Sequence, residues 1–315
     1  MPVTLAEAQQ NAADDLSVSV IDEFRGNQLL DLLTFDDCVS PTGGGTLTYG
    51  YRRLKTRSTA GFRALNSEYV PTEVTTEPKS VDLKPLGGSF QVDRVISRVG
   101  PALTGAVALN MAQKIRSVRD TFGSTFIGGD TDTDALAFEG LDKILTGSGQ
   151  EIAGAAYDWS DLDESRSHKV IDVLDEFLSN VDGGATAIIA SRRALAVIRS
   201  AARRAGYYDR SPGAAGTSIE TYAGIRFVEA GWNVDQTDVI PVTGGTTDIY
   251  AVRLGLDAVH GVSMAGSPLV QQWLPDFTSA GAVKTGEVEM GPVAVAVKAS
   301  RSAAVLRGVR VSAAG

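Results

Sequence analysis

The densest chemistry in the sequence lies at Tyr49–Glu73, YGYRRLKTRSTAGFRALNSEYVPTE, where Arg52, Arg53, Lys55, Arg57 and Arg63 are interleaved with Tyr49, Tyr51 and Phe62. Cations set between aromatic rings can hold single-stranded nucleic acid, with phosphates on the basic groups and bases stacked on the rings. Such platforms usually sit on a firm sheet. Here the flanking residues read as a projecting hairpin, so the pattern favours a surface that faces another protein, with nucleic acid as the second reading.

Other candidate chemistry is thin. HGVSMAG at 260–266 approaches the G-x-S-x-G turn that exposes a nucleophilic serine, but Ala265 stands at the last Gly and no histidine follows Ser263. A structural turn is the expectation. His168 and His260 are the only histidines, and neither has a second metal ligand at helical or loop spacing, so partly exposed side chains without a metal or general-base role are expected. Asp130, Asp132 and Asp134 imitate the opening of a calcium loop, yet Ala135 replaces its Gly and Leu141 its terminal Glu. They read as a solvated acidic turn. Gly43–Gly45 lack a following G-K-[ST] and read as a hinge, while Asp163 and Glu164 suit the dipole of a helix start. No enzyme, cofactor or metal is implied.

The elements that carry these residues follow from periodicity. Leu16, Val20, Phe24, Leu29, Leu30 and Leu33 recur at roughly helical spacing and predict an amphipathic helix over about 15–34, with Gly26 as its weak point. Leu47, Tyr49 and Tyr51 then alternate as a strand does. A return strand is marked by Val74, Val81 and Leu83 and closes at LGGSFQVDRVI; Pro71, Pro78 and Pro85 make it an edge or partly unpaired leg. The result is a hairpin of about forty residues with a charged tip near Arg57–Glu68 and little apolar content there, which must lie on something outside the subunit. Pro101 opens a helix on which Leu103, Val107, Met111, Ile115, Val118 and Phe122 share a face over about twenty residues, or roughly 30 Å. Beyond the acidic loop FIGGDTDTDALAFEGL, a mixed region from residue 160 predicts a helix through His168 to Val181, a buried strand ATAIIA, a helix capped by Ser191, and a Gly/Pro/Ser loop at 209–218. Strands are expected at TYAGIRFVEA, DVIPV, DIYAVRL and in the closing GPVAVAVKASRSAAVLRGVRV.

Composition bounds the rest. A chain of 315 residues with 43% apolar content can bury a sizeable core. A net charge of −9 argues against a protein whose main task is neutralising phosphates, and one cysteine, Cys38, excludes an intrachain disulfide. With no basic, apolar leader and no membrane-length apolar run, the chain reads as a soluble intracellular product. Residues 46–100 carry nine bases and five acids, whereas residues 1–45 carry eight acids and one base. The most economical partner of the basic stretch is therefore another copy of the same chain.

The order of these elements, an arm, a long charged hairpin closing at LGGSFQVDRVI, a long helix, a loop FIGGD…FEGL, a mixed region and the closing strands, resembles the major capsid protein of tailed bacteriophages, the Hong Kong 97 phage type. The resemblance implies an α+β capsid fold. It implies an N-terminal arm (1–45), an extended loop or E-loop (46–95) that lies over a neighbouring subunit, and a peripheral domain (96–150) with a spine helix. An axial domain (151–265) and C-terminal strands (266–315) returning largely to the peripheral domain complete it. It further implies hexamers and pentamers closing into an icosahedral shell around double-stranded DNA, in a virion assembled in the host cytoplasm. Inter-subunit contacts would come from Tyr51, Arg52, Arg53, Lys55, Arg57, Phe62, Arg63 and Glu68, and axial contacts from Tyr207, Tyr208, Asp209 and Arg210. A portal, a separate scaffolding protein and decoration proteins are the further partners implied. Lys55, Lys79 and Lys84 match no crosslinking motif. An encapsulin, a nanocompartment shell of the same fold, is the alternative.

Overall fold

The computed structural model describes residues 29–39, 46–95, 102–206, 209–212 and 218–313. The predicted N-terminal helix lies mostly outside these residues, and its described end, Leu29–Leu32, is a 3-10 turn with Leu29 buried. Strand β1 (Phe35–Val39) follows, where no strand was expected. Two acids in a five-residue run hide it from alternation, and it pairs parallel to a strand more than two hundred residues away.

Strands β2 (Thr48–Thr56) and β3 (Thr75–Asp82) form a two-stranded antiparallel ladder, as the alternation and the prolines predict. Leu83 is the pivot: buried, with its N–H donating to the Leu47 carbonyl, it turns the chain into β4 (Lys84–Asp93). Strand β4 carries the LGGSFQVD run and leaves the hairpin for a five-stranded sheet. In that sheet the long β13 (Val283–Val297) pairs antiparallel with β4, with β12 (Val270–Trp273) and with β11 (Val259–Met264), and β11 pairs with β1.

Helix α1 (Ala102–Gly128) packs on this sheet. At 27 residues it runs about 40 Å, longer than the spacing suggested. Its buried face is Met111, Val118, Phe122, Phe126 and Ile127; Ile115, expected on that face, is exposed. The acidic loop after α1 is pinched shut by Gly129 and Gly140, whose backbones bond to each other (Gly140 N–H to Gly129 C=O, 2.8 Å). A Cβ on Gly140 would lie 2.5–2.6 Å from three backbone atoms, so the FIGGD…FEGL pattern has a steric cause.

The second layer is a seven-stranded mixed sheet ordered β5–β14–β10–β6–β9–β8–β7. Its strands are β5 (Glu151–Ala153), β6 (Ala187–Ala190), β7 (Asp209–Pro212), β8 (Ser218–Tyr222), β9 (Ile225–Glu229), β10 (Thr246–Val252) and β14 (Ala303–Arg310). The short helix α2 (Leu141–Leu145) lies beside it, and α3 (Glu164–Ser179) and α4 (Arg192–Ala205) cover one face. Both long helices start as the sequence indicates: Ser191 caps α4 by accepting from Ala194 N–H. Asp163 is the cap of α3 itself and accepts from Arg166 N–H. All four residues of β6 are buried, because alternate side chains enter two cores: Ile188 joins Leu174, Phe177 and Ile198 under the helices, and Ile189 joins the core shared with α1 and the five-stranded sheet.

Three expectations need correction. DVIPV forms no strand; only an isolated Trp232–Asp238 bridge marks it. HGVSMAG is mostly strand: residues 260–264 lie in β11, with His260 fully buried, and only Ala265 and Gly266 turn. Burial on two sides removed the alternation that would have marked a strand. The hairpin tip is not poor in apolar groups either, since Phe62, Leu65, Tyr69 and Val70 are all exposed there. Among the described residues no helix is long and apolar enough to cross a membrane.

Candidate assembly interface

The hairpin has a foot, an arm and a tip, and each is held differently. At the foot the alternation of β2 points Tyr49, Tyr51 and Arg53 to one side, against the end of β13 and the residue after it. The Tyr51 hydroxyl donates to the Val297 carbonyl at 2.9 Å; the Arg53 guanidinium donates to the Val297 and Lys298 carbonyls at 2.9 and 3.0 Å. Tyr49 is buried and donates to Asp36 of β1 at 3.0 Å. The Lys298 ammonium lies 5.4 Å from the Tyr49 ring centre and 3.9 Å from the Asp36 carboxylate. Burial raises the Tyr51 hydroxyl pKa despite the nearby Arg53, so it stays a donor throughout the physiological range.

Along the arm the opposite side of β2 presents Arg52 and Leu54 to solvent, followed by Lys55 and Arg57. Among the described residues none of Arg52, Lys55 and Arg57 forms an ion pair or side-chain hydrogen bond. The tip keeps a local shape: Arg63 donates to the Ala64 and Ser67 carbonyls, both at 3.2 Å, and stacks 5.3 Å over Tyr69, while Asn66 turns the chain at positive φ. Phe62 and Leu65 project beside it, over 90% exposed, with Glu68 also in solvent. Of the eight predicted contact residues, Tyr51 and Arg53 are spent on the foot. Arg52, Lys55, Arg57, Phe62, Arg63 and Glu68 remain on the open arm and tip.

A second uncovered surface belongs to the five-stranded sheet. One face lies on α1, and the other turns Trp273 of β12, Glu287 and Glu289 of β13, and Gln91 of β4 to solvent. Glu287 and Glu289 have no cationic partner among the described residues. Nothing in the sequence separates them from any other exposed acids; only the register, which sets Trp273 opposite Glu287, shows a shared patch.

The remaining candidates do not come together. Tyr207 and Tyr208 lie outside the described residues; Asp209 and Arg210 open β7, opposite Thr221 and Glu220 of β8, on the far edge of the seven-stranded sheet. His168 is exposed on α3. Ser263 and His260 are three apart on one strand and so face opposite sides, which is no dyad geometry. In the acidic loop Lys143 pairs with Asp130 at 2.9 Å and with Asp132, which supplies the charge that a bound cation would have brought. Those contacts hold the Asp130 carboxyl below its ordinary range.

Sequence reasoning missed one polar centre. Arg307 of β14 bonds Asp142 of α2, Glu151 of β5 at 3.0 Å and Asp248 of β10 at 2.9 Å, while Tyr250 donates to Asp142 at 2.8 Å. Burial first, and Asp142 second, push the Tyr250 hydroxyl pKa far up. The cluster ties α2 to three strands. No spacing announces it, because Arg307 lies over 150 residues from Asp142 and Glu151 in the chain.

Known proteins bear on this geometry through structure alone. No protein-family model and no curated protein matches the chain by sequence. Among solved structures it is similar to the holo-SrpI encapsulin complex from Synechococcus elongatus PCC 7942, with TM-score 0.66, 18% identity, and 99% of this chain and 97% of that one covered. It is similar to the capsid of Myoviridae Phage XM1, with TM-score 0.57, 16% identity, and 98% and 99% covered. The capsid of the native GTA particle gives TM-score 0.61, 13% identity, and 97% and 100% covered. The chain has the Hong Kong 97 phage-type capsid fold. The likeness is end to end, so the α+β class and the capsid architecture expected from the order of elements both hold.

Proposed function

We propose that the chain is a major capsid protein, assembling as hexamers and pentamers into an icosahedral shell around double-stranded phage DNA. One observation carries this reading: the β2–β3 ladder is firmly anchored at its foot, yet its arm and tip are exposed and carry unpaired cations beside apolar rings. A two-stranded ribbon alone is marginal in water, so it needs a surface supplied by another molecule. It cannot bend back onto its own sheet, because Tyr51 and Arg53 fix its direction at Val297.

In this reading residues 46–95 are the E-loop, 96–150 and part of 266–315 build the peripheral domain, and 151–265 form the axial domain, with Tyr207–Arg210 meeting neighbours near the symmetry axis. Arg52, Lys55, Arg57 and Arg63, with Phe62 and Tyr69, dock on the open sheet face of a neighbouring copy, where Trp273, Glu287 and Glu289 offer opposite charge and an aromatic ring. Each exposed pair is worth only ~0.2–1 kcal/mol, but the contact recurs around a closed shell. The acidic total suits a container whose nucleic acid must leave again. A portal, a scaffolding protein and decoration proteins are partners of this reading, with assembly in the host cytoplasm.

The end-to-end likeness to an encapsulin supports a second reading, a shell that encloses protein. Electron microscopy of particles from the native source, with nuclease-protected DNA assayed on the same fraction, separates the two. Closed shells that protect DNA are expected. Protein-filled shells would establish the alternative, and a chain that forms no shells would overturn both.

A further inference from the structure

His260 lies in β11 opposite Ala296, is fully buried, and meets the Tyr49 ring edge-on at 5.9 Å between centroids and 81° between planes. Neither ring nitrogen has a hydrogen-bond partner among the described residues. The Ala258 carbonyl is near enough to favour the protonated ring but forms no hydrogen bond with it. A buried polar group left without a partner is destabilising, a penalty that a phenylalanine of similar size would avoid. The position is thus expensive for packing alone.

Its surroundings make the proton the variable. Lys298, following β13, brings a positive charge close by; Asp36 of β1 is shared between Lys298 and the Tyr49 hydroxyl; Asp257, ahead of β11, is paired with Arg253. Tyr49 itself, from β2, covers the imidazole. Burial first and Lys298 second hold the imidazole neutral, with the Ala258 carbonyl, Asp36 and Asp257 pulling the other way. All of these groups meet at the foot of the hairpin, where Tyr49, Tyr51 and Arg53 are fixed.

We propose that His260 is a proton-operated latch: the neutral ring lets Tyr49 seat against β11, and protonation in mild acid unseats Tyr49 and frees the foot of the hairpin. The sign follows from linkage. The seated ring resists the proton more than a released ring does, so the seated state loses stability as pH falls below the ordinary histidine value of about 6.5 and gains nothing above it. Each pKa unit between the seated and released ring is worth about tenfold in the opening equilibrium.

Hydrogen exchange on the full unassembled chain tests this between pH 7.5 and 5, with rates corrected for intrinsic exchange. Peptides covering 48–56 should lose roughly tenfold or more of their protection, while those covering β6 and β10 stay protected. In His260→Phe, which fills the same space and does not titrate, the acid loss should vanish; His260→Gln serves the same purpose should the phenylalanine variant fail to fold. Protection at 48–56 that stays flat with pH in the native chain overturns the latch. So does an acid loss that persists without His260 or disappears in Asp36→Asn with His260 in place. The readout needs no shell, so its failure leaves the proposed function standing, and failure to form shells would leave the latch untouched.

Discussion

The hairpin and the seven-stranded sheet are both antiparallel-rich β structure, and they are stabilised in opposite ways. The seven-stranded sheet has helices α3 and α4 on one face and a second core on the other, so a strand such as β6 has no exposed residue. The β2–β3 ladder has no sheet neighbour and only its foot is packed; from Leu54 outward almost every residue is in solvent. Internal burial makes the first region self-sufficient, while the proposed function has the second completed by another surface. Stability and assembly should therefore separate by position along the chain.

Substitutions can break that separation or sharpen it. Phe177→Ala, under α3, should cost about 3–5 kcal/mol in denaturant unfolding of the isolated chain, because the site is sealed on all sides. Arg53→Ala should cost on the order of 1–2 kcal/mol after allowing for its partial exposure, visible as lost exchange protection at the foot and not in β6. Ser191→Ala removes the cap of α4 and should lower stability by ~1 kcal/mol with no effect on the hairpin. Phe62→Ala should change unfolding by less than about 0.5 kcal/mol yet lower the yield of shells. A tip variant that destabilised the isolated chain as much as Phe177→Ala would erase the contrast.

How much of this was legible in the sequence depended on how locally each feature is encoded. The Ser191 cap, the ATAIIA strand and the proline-marked return leg are set by adjacent residues, and they stand where periodicity puts them. HGVSMAG misled because a strand buried on both faces loses its alternation and imitates a motif. The split among the basic residues was hidden for a different reason. Arg52 and Arg53 are neighbours in sequence, but opposite faces of β2 send one to solvent and the other to the Val297 carbonyl, which only the tertiary register decides. The acidic patch beside Trp273 and the Arg307 cluster likewise exist only through pairing between distant segments.

The most direct test of the docking account is charge reversal with compensation. Arg52→Glu with Arg57→Glu should leave the chain folded and its unfolding within about 0.5 kcal/mol of the native chain, while closed shells disappear from electron micrographs. Adding Glu287→Lys with Glu289→Lys should restore them. Normal shells from the first pair of substitutions would contradict the claim that the open arm holds a neighbouring copy by charge.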